Sequence, residues 1–398
     1  MLPIIDIEDL GLDAGGHLLV KHGLLGVPPG GSLFVTGRSA GWEAQLSAWC
    51  RNQGHQFSFS AQDGVVRVTR GTAEAGRRLG AMHTGHADSS LDGAVAEQAQ
   101  AGWGLSARGA TVEAGSPAMH FRLDRKNEVW ADGAADLYAQ AVAAQWNPET
   151  AIDWHTPFEL PDVVEDAVVQ VLTYMIENEE AALIVPARFL GQLHPHFREV
   201  QAVLAIQVAD EARHIEVFMR RLRMKGREPA LSTAGGQTSL KTLLDETDFS
   251  VAGFLLSVLG EGTFVSLLNF LHAHAPDPVT RQIARLAARD EARHVAFGMN
   301  HLMSRLKQEP QLFTRLANAV QSRNDALSGT SGLNEEVFDA LILLAAGEFT
   351  PKAIAAGYVR VQQLMLDMSE GRKARLEKLG FERETAQRLS SLHTRNFM

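Results

Sequence analysis

The pentapeptide Asp-Glu-Ala-Arg-His occurs twice in the chain, at 210–214 and again at 290–294. Each copy places a Glu and a His three positions apart, Glu211 with His214 and Glu291 with His294. On an α-helix that spacing puts the two side chains on nearly one face. Each copy also follows a Glu set in an apolar stretch: Glu179 lies 32 positions before Glu211, and Glu261 lies 30 before Glu291. Two such helix pairs, face to face, would gather four carboxylates and two imidazoles in one interior cavity. Hard carboxylate oxygens with one imidazole per metal suit two iron ions, or iron with manganese, better than zinc or copper.

The neighbouring residues agree with that chemistry. Glu179 stands in NEEAALIVP and Glu261 in VLGEGTF, where an unpaired carboxylate would be costly. Clustered carboxylates without cations repel one another and retain protons, and two bound metals relieve that repulsion. Asp210 and Asp290 precede the two motif Glu residues. Each is expected to orient the imidazole of the opposite helix as a hydrogen-bond acceptor. Arg213 and Arg293 should point away and pair with acids in the bundle. A single Glu-x-x-His on a helix is usually a surface pair. Two identical copies, each with an upstream Glu at matching distance, reverse that weighting.

The elements that must position these residues are punctuated by proline. A helix over Leu137–Trp146 stops at Asn147-Pro148. Leu160-Pro161-Asp162 opens a long helix to about Leu190, with Pro161 near its first turn. His194-Pro195 opens another, to about Met224, and 226–237 reads as a loop. A third long helix covers Thr247–His274, and Asp277-Pro278 caps and starts a fourth, to about Leu306. Two or three further helices follow between Gln311 and Arg388. The apolar run Val251–Leu271 is long enough to span a bilayer, but it carries Glu261 at its centre, an expensive place for a charge in lipid. It reads instead as a bundle-core helix, apolar all round. His194, His196, His272 and His274 fall at predicted helix ends and read as capping or solvated groups. Trp146, Trp154 and Tyr174 read as packing. The terminal SSLHTRNFM reads as either a docking tail or a disordered end.

Four zones result: a small α/β domain at 1–70, a Gly- and Ala-rich linker at 71–120, a helix bundle at 121–310 and a helical extension at 311–398. Within the first zone Ser32–Thr36, Gln56–Ser60 and Val65–Thr69 have strand character, and Trp42–Asn52 is helical. The chain has 398 residues, 45% hydrophobic and 21% charged, as in ordinary globular proteins. A net charge of −10 argues against nucleic acid or an anionic membrane as a partner. Cys50 is the one cysteine, which excludes an intramolecular disulfide and a cysteine zinc cluster. The N-terminus carries acids where an export signal needs Lys or Arg, so a cytoplasmic location is expected.

These residues resemble the ferritin-like di-iron carboxylate superfamily over about 133–308. The resemblance implies a mainly α fold, a ferritin-like four-helix bundle with extra helices. It implies that Glu179, Glu211 and His214 serve one metal and Glu261, Glu291 and His294 the other, with some carboxylates bridging. The segments ENEEAALIVPARFLGQLHPHFREVQ and ADEARHIEVF look like an oxygenase-like branch. Phe218 stands where the ribonucleotide reductase subunit places its radical Tyr, so a stable tyrosyl radical is not expected there. Ala287 stands where arylamine N-oxygenases carry an added His. Residues 1–70 resemble the TusA-like sulfur carriers, a two-layer β-α-β-α-β-β fold, through IIDIEDLGLDAGG, Pro28-Pro29-Gly30 before SLFVTG, and SAWCRNQGHQF before GVVRVTRG. The sulfur-carrying Cys of that family should fall near Ala14 and is absent, which leaves a docking or regulatory module.

The functional expectation is an O2-dependent di-iron oxidase or oxygenase acting on a small organic substrate by hydroxylation, N-oxidation or desaturation. Electrons would come from a separate reductase or ferredoxin, because the chain has no flavin or iron–sulfur motif. The alternatives are a ferritin- or rubrerythrin-like iron-handling or peroxide-scavenging protein, and a metal-binding scaffold subunit. The resemblance also leaves room for a homodimer.

Overall fold

The computed structural model describes residues 3–60, 64–73, 79–328 and 335–392; the terminal residues 393–398 lie outside it. The chain divides into two compact units, one of residues 1–91 and 102–119, the other of 92–101 and 120–398.

In the first unit the strands β1 (Ile4–Asp6), β2 (Ser32–Thr36), β3 (Gln56–Ser60) and β4 (Val65–Thr69) form one sheet in the order β1-β2-β4-β3. β1 runs parallel to β2, and the other pairs are antiparallel. Parallel strands need a crossover, and helix α1 (Gly16–Leu25) supplies it. A second helix, α2 (Trp42–Gln53), joins β2 to β3. Leu33 pairs with Val68 and Val35 with Val66, so the strands' alternation gives one apolar face. Val20 and Leu24 of α1 and Leu46 and Cys50 of α2 bury against it. Burial pushes the Cys50 thiol up to about 12, which makes it an inert core residue. Residues 71–120, expected as a linker, hold more structure than their composition suggests: β5 (Met82–His83) pairs with β6 (Thr111–Val112). Thr84 Oγ1 donates to the carbonyls of Ala107 and Ala110, so backbone and hydroxyl bonds, not apolar periodicity, hold this stretch.

The second unit has the expected mainly α architecture, a four-helix bundle with extra helices. A short helix, α3 (Ala134–Ala143), precedes the bundle, which begins with α4 (Asp162–Leu190) and α5 (Arg198–Met224). The loop read at 226–237 is cut short by α6 (Ala234–Asp245), whose Thr233 cap accepts from the Gly236 amide. The third bundle helix is not one α-helix. It runs as α7 (Phe249–Gly253), an eight-residue π-helix (Phe254–Glu261) and α8 (Gly262–His274). Its membrane-length apolar window is 83% buried in the protein, as a core helix should be. The fourth, α9 (Pro278–Gln308), starts at Asp277, whose carboxylate accepts from the Thr280 amide.

Four more helices follow: α10 (Leu312–Ser328), α11 (Glu335–Ala346), α12 (Pro351–Leu379) and α13 (Arg383–Ser391). α11 packs on α4, and α12 packs on α8 and α11. Their Leu341, Leu344, Leu364 and Met368 share one core with Leu172, Phe218, Leu267 and Ile283 of the bundle. The extension therefore completes the bundle's apolar surface instead of standing apart from it.

Candidate metal centre

Glu179 sits in the middle of α4, Glu211 and His214 on α5, Glu261 at the end of the π-helix, and Glu291 and His294 on α9. All six are buried. Ligand atoms of Glu179, Glu211, His214 and Glu291 lie within 4.8 Å of one another, and so do those of Glu211, Glu261, Glu291 and His294. Glu211 and Glu291 belong to both groups, whereas Glu179 and Glu261 each belong to one. The geometry is that of two adjacent positions sharing two carboxylates.

The imidazoles face this cavity through Nδ1. His214 Nδ1 lies 3.1 Å from Glu211 Oε2, 3.5 Å from Glu291 Oε1 and 3.6 Å from Glu179 Oε2. His294 Nδ1 lies 3.0 Å from Glu211 Oε1 and 3.4 Å from Glu291 Oε2. Their Nε2 atoms point the other way, His214 to Asp290 Oδ2 at 3.2 Å and His294 to Asp210 Oδ2 at 3.3 Å. An ionised carboxylate can only accept, so Nε2 donates in both. In the neutral tautomer that leaves a lone pair on each Nδ1, aimed into the carboxylates.

Four residues hold the aspartates in turn. Gln145 Nε2 donates to Asp210 Oδ1 at 2.8 Å, and Trp146 Nε1 donates to Asp290 Oδ2 at 2.7 Å. Arg213 bridges Asp210 and Asp290, and Arg293 bonds Asp290, so the arginines do pair with acids of the bundle. Arg213 also lies over the Trp146 ring, whose plane is stacked 12° from that of His214. Asp290 stays ionised despite burial, because bonds from His214, Trp146 and Arg213 hold its carboxyl below the usual range. Asp210 is held low in the same way by His294 and Gln145.

Inside the cavity the directions differ. Burial, reinforced by the charges of Glu291 and Glu211, pushes the Glu179 carboxyl well above its ordinary range. Burial and the Glu291 charge do the same to Glu261. Burial works to lower both imidazoles, but the charge of Glu179 on His214 and of Glu211 on His294 raises them well above normal. Glu211 opposes the trend. It touches both imidazoles, and they hold it ionised against its burial. Without cations, then, the cavity would keep protons.

Several oxygens here have no hydrogen-bond partner among the described residues: Glu179 Oε1, Glu261 Oε2 and both oxygens of Glu291. Buried polar atoms are rarely left so, and orphans usually mark a bound species. Four carboxylates balance two divalent cations in charge, and the donor set of oxygens with one imidazole per position suits iron or manganese. The residues fit the metals.

The structure brings together the six residues and the two aspartates that the sequence singles out, and adds Gln145, Trp146, Gln207 and Ser257, whose contacts here the sequence did not show. Gln207 Nε2 donates to Glu261 Oε1 at 2.8 Å, and Ser257 also hydrogen-bonds Glu261. Gln207 lies one turn before Glu211, a spacing that carried the missing signal. His194 and His196 are not solvated. His194 caps the turn that starts at Pro195, as one reading allowed, and His196 Nε2 accepts from the Ala96 amide, both in buried positions.

No protein-family model matches the chain, and no curated protein matches it. Among solved structures it is similar to a protein with aldehyde deformylating oxidase activity from Synechococcus, at 18% identity and a TM-score of 0.42, covering 57% of this chain and 96% of that one. It is also similar to an R2-like ligand-binding oxidase from Sulfolobus acidocaldarius, at 15% identity and a TM-score of 0.45, covering 64% and 93%. A variant R2-like ligand-binding oxidase with an anaerobically reconstituted Mn/Fe cofactor gives 16% identity and a TM-score of 0.49, covering 64% and 95%. The reading of the site rests on its own geometry.

Proposed function

We propose that the chain is an O2-dependent non-haem oxidase or oxygenase that holds two iron ions, or manganese with iron, and acts on a small, mainly apolar organic substrate. The observation that carries this reading is the convergence of four carboxylates and two Nδ1 atoms, with orphaned oxygens, in one buried cluster.

Glu179 and His214 would hold one cation and Glu261 and His294 the other, with Glu211 and Glu291 spanning both. When bound, the metal pair supplies the reduction of O2 and the oxidation of substrate, with electrons from an external reductase or ferredoxin. Asp290 and Asp210 fix the tautomer by accepting hydrogen bonds from the Nε2–H groups of His214 and His294, which keeps each Nδ1 available for ligation. Gln207 holds Glu261 in place and also lines a narrow pocket with Val185, Phe189, Leu256, Ser257 and Phe297, about 370 Å3 of empty space with its open mouth included. Its walls are mostly apolar, and Gln207 and Ser257 are its polar groups beside Glu261. The chemistry proposed is hydroxylation, N-oxidation or desaturation. The N-terminal unit has the β-α-β-α-β-β order of TusA-like carriers without their Cys, which supports a docking or regulatory role and not sulfur transfer.

The test is anaerobic loading with Fe(II), or Fe(II) and Mn(II), followed by air. Two metals per chain and O2 uptake that yields a substrate-derived product are expected. Uptake that only mineralises iron would shift the reading to iron handling. No O2 uptake at two metals per chain would leave a metal-binding scaffold.

A further inference from the structure

Helix α9 carries Arg281, Arg285, Arg289 and Arg293, each four positions after the last. The first three are exposed and the fourth is half-buried. At a rise of about 1.5 Å per residue they follow one side of the helix for about 18 Å. Arg285 and Arg289 have no ion pair among the described residues, and Arg281 donates from Nε to the carbonyl of Ala275. By contrast, Arg223 meets Glu216 and Arg315 meets Asp248. Asp153, whose amide donates to Gln282 beside the stripe, has its own carboxylate bonded by Thr156. Like charges one turn apart destabilise a helix. An opposite charge from outside would relieve that cost.

The stripe ends at the metal cavity. Arg293 bonds Asp290, whose Oδ2 accepts from His214 Nε2 at 3.2 Å. The basic surface therefore reaches His214 through a single intervening carboxylate. The chain as a whole carries a charge of −10, so the stripe reverses the field locally. A nucleic acid or an anionic membrane would meet the overall repulsion, whereas a compact acidic protein can touch the stripe alone.

We propose that this stripe docks a small acidic protein that carries one electron at a time to the oxidase centre, an assignment that rests on the oxidase reading above. Each of the three reactions proposed there takes two electrons and two protons from outside for every O2 and releases water. The chain has no flavin or iron–sulfur motif to supply those electrons. The carrier is oxidised by one electron per encounter, so two encounters complete a turnover, with O2 the final oxidant. The row of guanidinium groups steers the carrier to this face and pairs with its carboxylates. Such a contact is salt-sensitive and short-lived, which suits a partner that must leave and return.

Titration of the metal-free full chain with an acidic plant-type ferredoxin tests the surface without any oxidase chemistry. Saturable binding is expected, at least tenfold tighter at about 0.01 M than at about 0.15 M ionic strength, between which the Debye length falls from about 30 to about 8 Å. The double variant Arg285→Glu, Arg289→Glu should weaken it tenfold or more at low salt. Arg223→Glu, a charge reversal on α5 away from the stripe, should change it by less than about twofold. Anaerobic mixing of reduced ferredoxin with air-oxidised, metal-loaded protein should show ferredoxin oxidation slowed at least tenfold in the double variant. No binding at low salt, equal binding by the double variant, an equal effect of Arg223→Glu, or tighter binding of anionic vesicles or of a basic cytochrome c would each overturn the proposal. Failure of the oxidase reading shows separately, as no O2 uptake by metal-loaded protein reduced with dithionite, whatever ferredoxin binding does.

Discussion

The guanidinium of Arg375 stands where a side chain on Gly262 would begin: a Cβ there would lie 2.5 Å from Arg375 Cζ. Arg375 Nε donates to the carbonyl of Val258, at 2.7 Å, in the π-helix that ends at Glu261. The missing side chain of Gly262 therefore lets an arginine from α12 cap a backbone carbonyl three residues before Glu261. Gly262→Ala should expel that guanidinium and destabilise the protein by about 1–3 kcal/mol, the usual cost of overpacking. Adding Arg375→Ala should recover part of the loss. Chemical denaturation of the two single variants and the double variant reads the coupling, and strictly additive losses would show that the two residues do not share this space.

Asp290 receives four donors, His214, Trp146, Arg213 and Arg293. Asp290→Asn would turn an amide toward His214 Nε2 in place of an acceptor, or lose one of the other bonds. Metal affinity at the His214 position should fall about 10- to 100-fold. Competition against a chelator measures it, with Asp210→Asn giving a comparable loss at the other position.

Arg221 is fully buried and joins three elements. It bonds Glu165 of α4 at 2.7 and 2.9 Å and Asp277, the cap of α9, at 3.1 Å. Arg221→Met would leave two carboxylates buried without their cation, which costs roughly 3–5 kcal/mol. Urea unfolding should show that loss. A double variant that also carries Glu165→Met should regain much of it.

His301 gives a pH dependence apart from the buried Glu and His cluster. Its Nε2 meets Ser250 Oγ and its Nδ1 the carbonyl of Trp130, both in the interior. Burial, with the charge of Arg305 adding, pushes its pKa down to about 4. A folded-state value below the unfolded one means the unfolded chain binds the extra proton. The stabilisation is complete above about pH 6.5 and is lost as pH falls toward 4, by at most about 3 kcal/mol at 1.36 kcal/mol per unit. Between pH 7 and 4.5 the wild-type protein should therefore lose more unfolding free energy than His301→Gln, and equal losses would assign the acid sensitivity elsewhere.

The sequence exposed what is local and repeated. Glu211 with His214 and Glu291 with His294 are single-turn pairs, and the duplication pointed to their upstream partners. Asp210 and Asp290 were legible for the same reason. Gln145 and Trp146 were not, because each reaches its aspartate across a chain separation of 65 or 144 residues, and no spacing encodes that. The helix α6 opens on Ala-Gly-Gly, which reads as a loop, but Leu240 and Leu243 are buried and tertiary packing overrides the weak propensity. The π-helix was hidden because VAGFLLSVLGEGTFVSLLNFL is apolar on every side, so a change of helical period leaves no contrast to detect.

That wide turn makes the two halves of the bundle unequal in a way their matching pentapeptides conceal. Glu179 rides on an α-helix and Glu261 on a π-helix, so equal residue counts from the two carboxylates lead to different azimuths around the axis. A chimera that transplants the segment around Glu179 into the place of the segment around Glu261 would bring α pitch into a seat shaped for π. Its carboxylate would then arrive rotated off the cavity, and only a graft that also changes the segment's length by a residue would restore its aim.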